Sequence, residues 1–145
     1  MSMRLMQVLS VAGLLPFVAA ALGVMFLNDL LLALSQRTFL LYSTAILCFL
    51  GGTLWGETLS APSVGHGATI LISNGIVLFA VLAMLTAQPL LAAILLMLGH
   101  LMLLWYERQL PQRALWYTRM RSWVSFVVVL SHLMFAIGLM WRAPL

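Results

Sequence analysis

The chain has 145 residues, of which 64% are hydrophobic and only 7% are charged. Soluble domains carry about 25% charged residues because their surfaces face water, so this composition excludes an ordinary soluble protein. The formal net charge of +4 is the charge expected from arginines in loops beside phospholipid headgroups. Nucleic-acid binding would require basic residues gathered on a solvated face, and the sequence has no such cluster. We therefore expect an integral membrane protein that contacts membrane lipids and no nucleic acid.

Apolar runs long enough to cross a bilayer recur along the chain, because a span needs about 20 residues at 1.5 Å each. The first run exceeds the apolar region of a signal peptide, about 7–15 residues, so it is predicted to be a membrane helix. The predicted fold class is an all-α, polytopic membrane bundle of five helices in a single domain, 1–145. The predicted spans are 5–27, 38–56, 68–86, 89–106 and 123–141, with a basic and aromatic interfacial turn over 107–122.

Arginine placement predicts the orientation of the bundle. With five spans, the N-terminus and the second and fourth connections share one side of the membrane, and that side holds five of the seven arginines. Short arginine-rich segments stay in the cytoplasm, so the N-terminus is predicted inside and the C-terminus outside. Four of the five tryptophans support this orientation, because indole rings settle at the headgroup level of a membrane. The four that fall at the predicted cytoplasmic face are Trp55, Trp105, Trp116 and Trp123.

The second span ends in FLGGTLWGETL, in which Gly52 and Gly56 form a G-x-x-x-G pair beside Gly51. Glycines at this spacing let another membrane helix approach closely, so we predict a helix-packing seam here. Glu57 follows the seam at the predicted cytoplasmic boundary, where a carboxylate needs a cation or water. Two interpretations stay open: an ion pair from Glu57 to Arg119 or Arg121, or a solvated interfacial carboxylate.

The segment before the fifth span combines cations with aromatic rings. One interpretation is an ordinary positive-inside loop with aromatic anchors. The other is capture of an anionic lipid headgroup, favoured by about 1 kcal/mol for each nearby arginine. The candidate anchor residues are Arg113, Trp116, Tyr117, Arg119 and Arg121.

Two histidines lie inside neighbouring spans. His100 and His132 stand six and nine positions from Tyr106 and Trp123, which is roughly 9 and 14 Å below the same membrane face. Similar depth on two helices is what a bis-histidine haem b site requires, and unrelated histidines would also show it by chance. No metal site is predicted, since the acidic and histidine side chains are few and scattered. Serines within the spans are expected to bond backbone carbonyls or to bridge helices.

Three stretches occur in an order that resembles a known family: GLLPF, YSTAILCFLGGTLWG and LPQRALWYTRMRSWVS. The chain is similar to the small membrane proteins grouped as domain of unknown function 3429, the transmembrane protein 69-like proteins. The stretch 112–115 departs from the expected spacing before Trp116. The resemblance implies a compact multi-span protein of the bacterial inner membrane or of the mitochondrial inner membrane. It brings no activity and no catalytic residues.

These observations order the functional hypotheses. The first is a non-enzymatic accessory or scaffolding subunit of a larger membrane complex, such as a respiratory one, in the bacterial inner membrane. The second is a redox protein that binds haem b or a quinone near His100 and His132. The third is a small-solute carrier, which is disfavoured because ionisable groups within the spans are few. No catalytic residue and no cofactor is predicted under the first hypothesis.

Overall fold

The structure is a computed structural model that describes residues 3–60, 66–110 and 113–142, and every regular element in these residues is an α-helix. Five candidate membrane spans are present, with α1 and α2 together forming the first, Met3–Phe26. The predicted all-α bundle of five spans is confirmed. Its helices are α1 (Met3–Ala12), α2 (Leu15–Phe26), α3 (Asp29–Ser60), α4 (Gly67–Leu85), α5 (Pro89–Gln109) and α6 (Leu115–Arg142).

The first span is interrupted between α1 and α2. Pro16 lies in the first turn of α2, where its missing N–H breaks the hydrogen-bond ladder of the preceding turn. The Tyr42 hydroxyl donates a 2.9 Å hydrogen bond to the carbonyl of Gly13 at the break. This bond from α3 satisfies a backbone group that the interruption exposes, as a membrane helix requires.

Two helices begin earlier than the sequence indicated. α3 starts at Asp29, so residues 29–37 of the predicted connection 28–37 belong to the helix, and the chain turns sharply at Asp29 with a φ of 51°. α6 starts at Leu115, so most of the predicted interfacial turn 107–122 is helical, while residues 111–112 of that turn lie outside the described residues. In α6 the inward-facing residues continue before the apolar run, since Arg121 is buried, whereas residues 29–38 of α3 include no buried residue.

The helices pack as antiparallel neighbours around an aromatic and aliphatic centre. α3 contacts α2 and α4, and α6 contacts α2, α5 and α1. At the end of α6, Arg142 donates to the Asn28 side chain at 2.9 Å and to the Met25 carbonyl at 3.0 Å, which ties the last span to the α2–α3 corner. The largest fully buried side chains of the core include Phe17, Phe39, Phe135, Leu47, Leu54 and Leu96.

The predicted glycine seam is only partly used inside the bundle. Gly51 is buried against α4, where Ser73 donates a 2.6 Å hydrogen bond to its carbonyl. A Cβ at Gly51 would lie 3.2 Å from the Ser73 carbonyl oxygen, so glycine permits this close approach. By contrast, a Cβ at Gly52 or Gly56 would meet no atom of the described residues within 4 Å. The seam through Gly52 and Gly56 is therefore wrong for packing within this chain, because both face outward from the bundle.

Candidate functional site

A buried ion pair joins the end of α5 to the beginning of α6. Arg121 Nε donates to Glu107 Oε2 at 2.9 Å, and Arg121 Nη1 donates to Ser125 Oγ at 2.6 Å. The two charged side chains are only 6% and 2% exposed. Charges removed from water in this way are tolerated when they are paired and hydrogen-bonded, so each residue of the pair depends on the other.

A second ion pair extends this cluster towards the surface. Arg113 Nη2 lies 2.6 Å and 2.8 Å from the two carboxylate oxygens of Glu57, whose side chain is half exposed. Arg113 Nη1 also lies 3.5 Å from Glu107 Oε1. The predicted partner of Glu57 was Arg119 or Arg121, and this assignment is wrong. Arg121 faces inward to Glu107, while Arg113 precedes α6 and can reach across to the end of α3.

The arginines of the predicted headgroup site have separate roles. Burial opposes the charge on Arg113, but the hydrogen bond to Glu57 and the nearby carboxylates outweigh it and raise the pKa of Arg113. Its guanidinium also lies 5.2 Å from the ring centre of Tyr117. Arg113 and Arg121 are thus committed to contacts within the bundle. Among the predicted anchors, Arg119 is exposed and Trp116 is half buried, so these two remain available to headgroups.

The two membrane histidines meet through a serine. Ser43 Oγ on α3 lies 3.2 Å from His100 Nε2 and 2.9 Å from His132 Nε2, and the two ring centres are 5.6 Å apart. The rings are therefore adjacent, as their similar depth indicated. Phe17 and Phe39 pack against them and enclose the group. Both Nε2 atoms point at the hydroxyl, so a haem iron between them would have to displace Ser43 and its aromatic neighbours. The site fits haem poorly.

A cavity of about 340 Å³ lies between α1, α3 and α6, with His100 of α5 also on its wall. Two apolar side chains that line it, Leu9 on α1 and Phe49 on α3, are exposed, so we infer that the cavity has its mouth beside them. Along α6 it extends from Tyr117 to Val128, a length of about 16 Å at 1.5 Å per residue. Most of the wall is apolar, and the polar side chains that line it are Ser10, Thr53, His100, Tyr117 and Arg121.

Arg121 connects the cavity with the buried ion pair. Its side chain lines the cavity, while its partner Glu107 lies behind it in the neighbouring small gap between α5 and α6. The Nη2 atom of Arg121 is buried and makes no hydrogen bond within the described residues. Buried polar groups in proteins normally find a partner, and three neighbouring atoms of the same cluster, Glu107 Oε1 and Arg113 Nε and Nη1, also make no hydrogen bond within the described residues.

Sequence reasoning missed Glu107 and the cavity. Glu107 was assigned to a loop, although it stands seven positions after His100 and four after Leu103, on the buried face of α5. That spacing is the signal that identifies it as an inward residue. The cavity depends on the break after α1 and on the gap between α1 and α3, which no local pattern encodes. Ser43 was expected to bond a carbonyl or to bridge helices, and it bridges three.

Comparison with known proteins identifies the family. The family model described as "Protein of unknown function (DUF3429)" matches residues 2–137. The chain belongs to this family. The match covers nearly the whole chain and confirms the resemblance that the three sequence stretches indicated. Searches of curated proteins and of solved structures found no match. DUF3429 membership therefore supplies no activity, and a function must be argued from the site itself.

Proposed function

We propose that this DUF3429 protein binds a lipophilic molecule, such as a quinone, in the cavity between α1, α3 and α6. The observation that carries the proposal is an apolar cavity of about 340 Å³ whose wall includes Arg121, a buried arginine whose Nη2 makes no hydrogen bond within the described residues. Ligand sites in proteins have this volume, from about 300 Å³ upward, and combine apolar walls with a few polar groups that orient the ligand.

The position of the mouth supports a ligand that enters from the bilayer. α1 packs against α6 and has no buried residue, so it forms a thin outer wall beside the cavity. Leu9 is 59% exposed and Phe49 is 68% exposed, and both would contact lipid tails in a membrane. A molecule dissolved in the bilayer can therefore reach Arg121 without passing through water.

Filling the cavity tests the proposal. Val124 is half buried on its wall, whereas Leu130 is exposed on the same helix and does not line it. We expect native mass spectrometry of the protein in mild detergent to show one bound decyl-substituted benzoquinone. Val124→Phe should weaken this binding about tenfold, and the control Leu130→Phe should leave it unchanged. Failure of the unmodified protein to bind, or equal binding by both variants, would contradict the proposal.

The accessory-subunit hypothesis is kept as a second candidate because one surface observation favours it. Gly52 and Gly56 face outward on α3, a Cβ on either would meet no atom within 4 Å in the part of the chain that the structure describes, and exposed Phe49 and Leu59 flank them. Paired glycines that point towards lipid let a membrane helix of another protein approach closely. We propose that such a helix, from a larger inner-membrane complex of respiratory or similar type, packs on this face.

Matched glycine variants test the second candidate. Gly75 on α4 is also open, with no atom of the described residues within 4 Å of a Cβ, but it has no second glycine four positions away. After affinity purification in mild detergent, Gly52→Leu should lose the co-purifying membrane subunits, while Gly75→Leu should retain them. The same eluate reports on haem, because a Soret band would show that haem binds in spite of the poor fit at Ser43. Retention of every subunit by Gly52→Leu would refute docking at this face.

A further inference from the structure

We infer that the head of the cavity ligand is an uncharged hydrogen-bond acceptor, such as a ketone or quinone carbonyl, and that the Arg121 guanidinium donates to it. This inference rests on the proposed function, since it specifies the ligand chemistry of the same cavity. It goes further because the choice between a neutral and an anionic head follows from the charges around Arg121.

The positive charge of Arg121 is already compensated. Glu107 Oε2 accepts from Arg121 Nε at 2.9 Å, and Glu107 does not line the cavity. Arg113 and Glu57 form the adjoining pair at 2.6 Å. The four side chains carry two positive and two negative charges, so their sum is zero.

An anionic head would upset this balance. A carboxylate beside Arg121 would also lie close to Glu107, and like charges repel strongly where water is excluded. A carbonyl oxygen adds no charge and can still accept a hydrogen bond from the Arg121 guanidinium, which is not saturated within the described residues. Arg108 and Arg119 are exposed at the same end of the bundle, where water and salt screen their attraction for an anion.

The remaining polar side chains on the wall agree with a neutral head. Tyr117 and Thr53 each carry a neutral hydroxyl, and the Thr53 hydroxyl already donates to the Leu50 carbonyl at 2.7 Å. His100 lines the deeper part of the cavity and shares the Ser43 hydroxyl with His132. Arg121 is thus the only charged residue among the described residues that line the cavity. A carbonyl-headed molecule with an apolar tail matches this distribution.

Ligands with one tail and different heads test the inference. The full chain in mild detergent is titrated with 2-tridecanone, with dodecanoate at pH 9 and with tridecane, and binding is measured by native mass spectrometry. We expect the ketone to bind at least tenfold more tightly than either the carboxylate or the alkane. Glu107→Gln removes the compensating charge without touching the cavity wall, so it should improve carboxylate binding tenfold or more relative to the ketone.

The outcomes separate this inference from the proposed function. If none of the three molecules and no quinone binds, the proposed function fails and the inference falls with it. If the carboxylate binds as tightly as the ketone, or more tightly, the cavity binds lipophiles and the inference on the head group is refuted. The comparison within the unmodified protein is decisive even where Glu107→Gln does not fold, and Val124→Phe verifies that the measured binding occurs in the cavity.

Discussion

The same substitution at two glutamates separates a buried ion pair from a surface one. Glu107 is 2% exposed in its pair with Arg121, whereas Glu57 is 49% exposed in its pair with Arg113. Removing one partner of a buried pair costs about 3–5 kcal/mol because the other charge is left uncompensated. Gln retains one acceptor, so we expect Glu107→Gln to lower the free energy of unfolding by about 3 kcal/mol, at the lower end of that range. Glu57→Gln should lower it by at most about 1 kcal/mol.

Reversible unfolding in mixed micelles of increasing dodecyl sulfate fraction measures this difference. An energy of about 3 kcal/mol corresponds to an equilibrium shift of about 100-fold, which is well resolved. A double variant, Glu107→Gln with Arg121→Gln, removes both charges and should regain at least half of the loss, because no uncompensated charge stays buried. Equal losses of unfolding free energy for Glu107→Gln and Glu57→Gln would refute this account of the pair. So would a double variant whose loss exceeds the summed losses of its two single variants.

Three further predictions concern packing, the histidine group and orientation. A Cβ at Gly99 would lie 2.7 Å from Leu47 Cδ2, whereas a Cβ at Gly52 would meet no described atom within 4 Å. In the same unfolding assay, Gly99→Ala should therefore destabilise the protein by about 1–2 kcal/mol, and Gly52→Ala should not. Ser43→Ala leaves two buried imidazole nitrogens without their shared partner and should destabilise by about 2 kcal/mol; an unchanged midpoint would contradict that. In a cysteine-free background, a cysteine at Leu115 should react with an impermeant maleimide only from the cytoplasm and one at Gln88 only from outside. The reverse pattern would overturn the predicted N-inside orientation.

The number of spans was predictable from the sequence because it depends on a local quantity, the length of each apolar run. Helix ends were less predictable. Charged and polar residues mark where an apolar run leaves the hydrocarbon core of the bilayer, but the helix can continue beyond that point. Arg121 and Ser125 continue the inward stripe of α6 with Val128, and α6 therefore begins before its apolar run. Likewise α3 begins at Asp29, where a sharp corner replaces the expected connection.

The candidate site shows why charge pairing was harder to predict than charge location. The sequence places Glu57, Glu107 and five arginines at one end of the bundle, and only the rotation of each helix decides which of them face one another. Arg121 faces inward because it stands four positions before Ser125, on the buried face of α6. It therefore requires the carboxylate that α5 presents at equal depth, and that carboxylate is Glu107. Glu57, on the exposed face of α3, is left to Arg113. The inward orientation of Arg121 also makes it a lining residue of the cavity, so the buried ion pair and the proposed ligand site share one side chain.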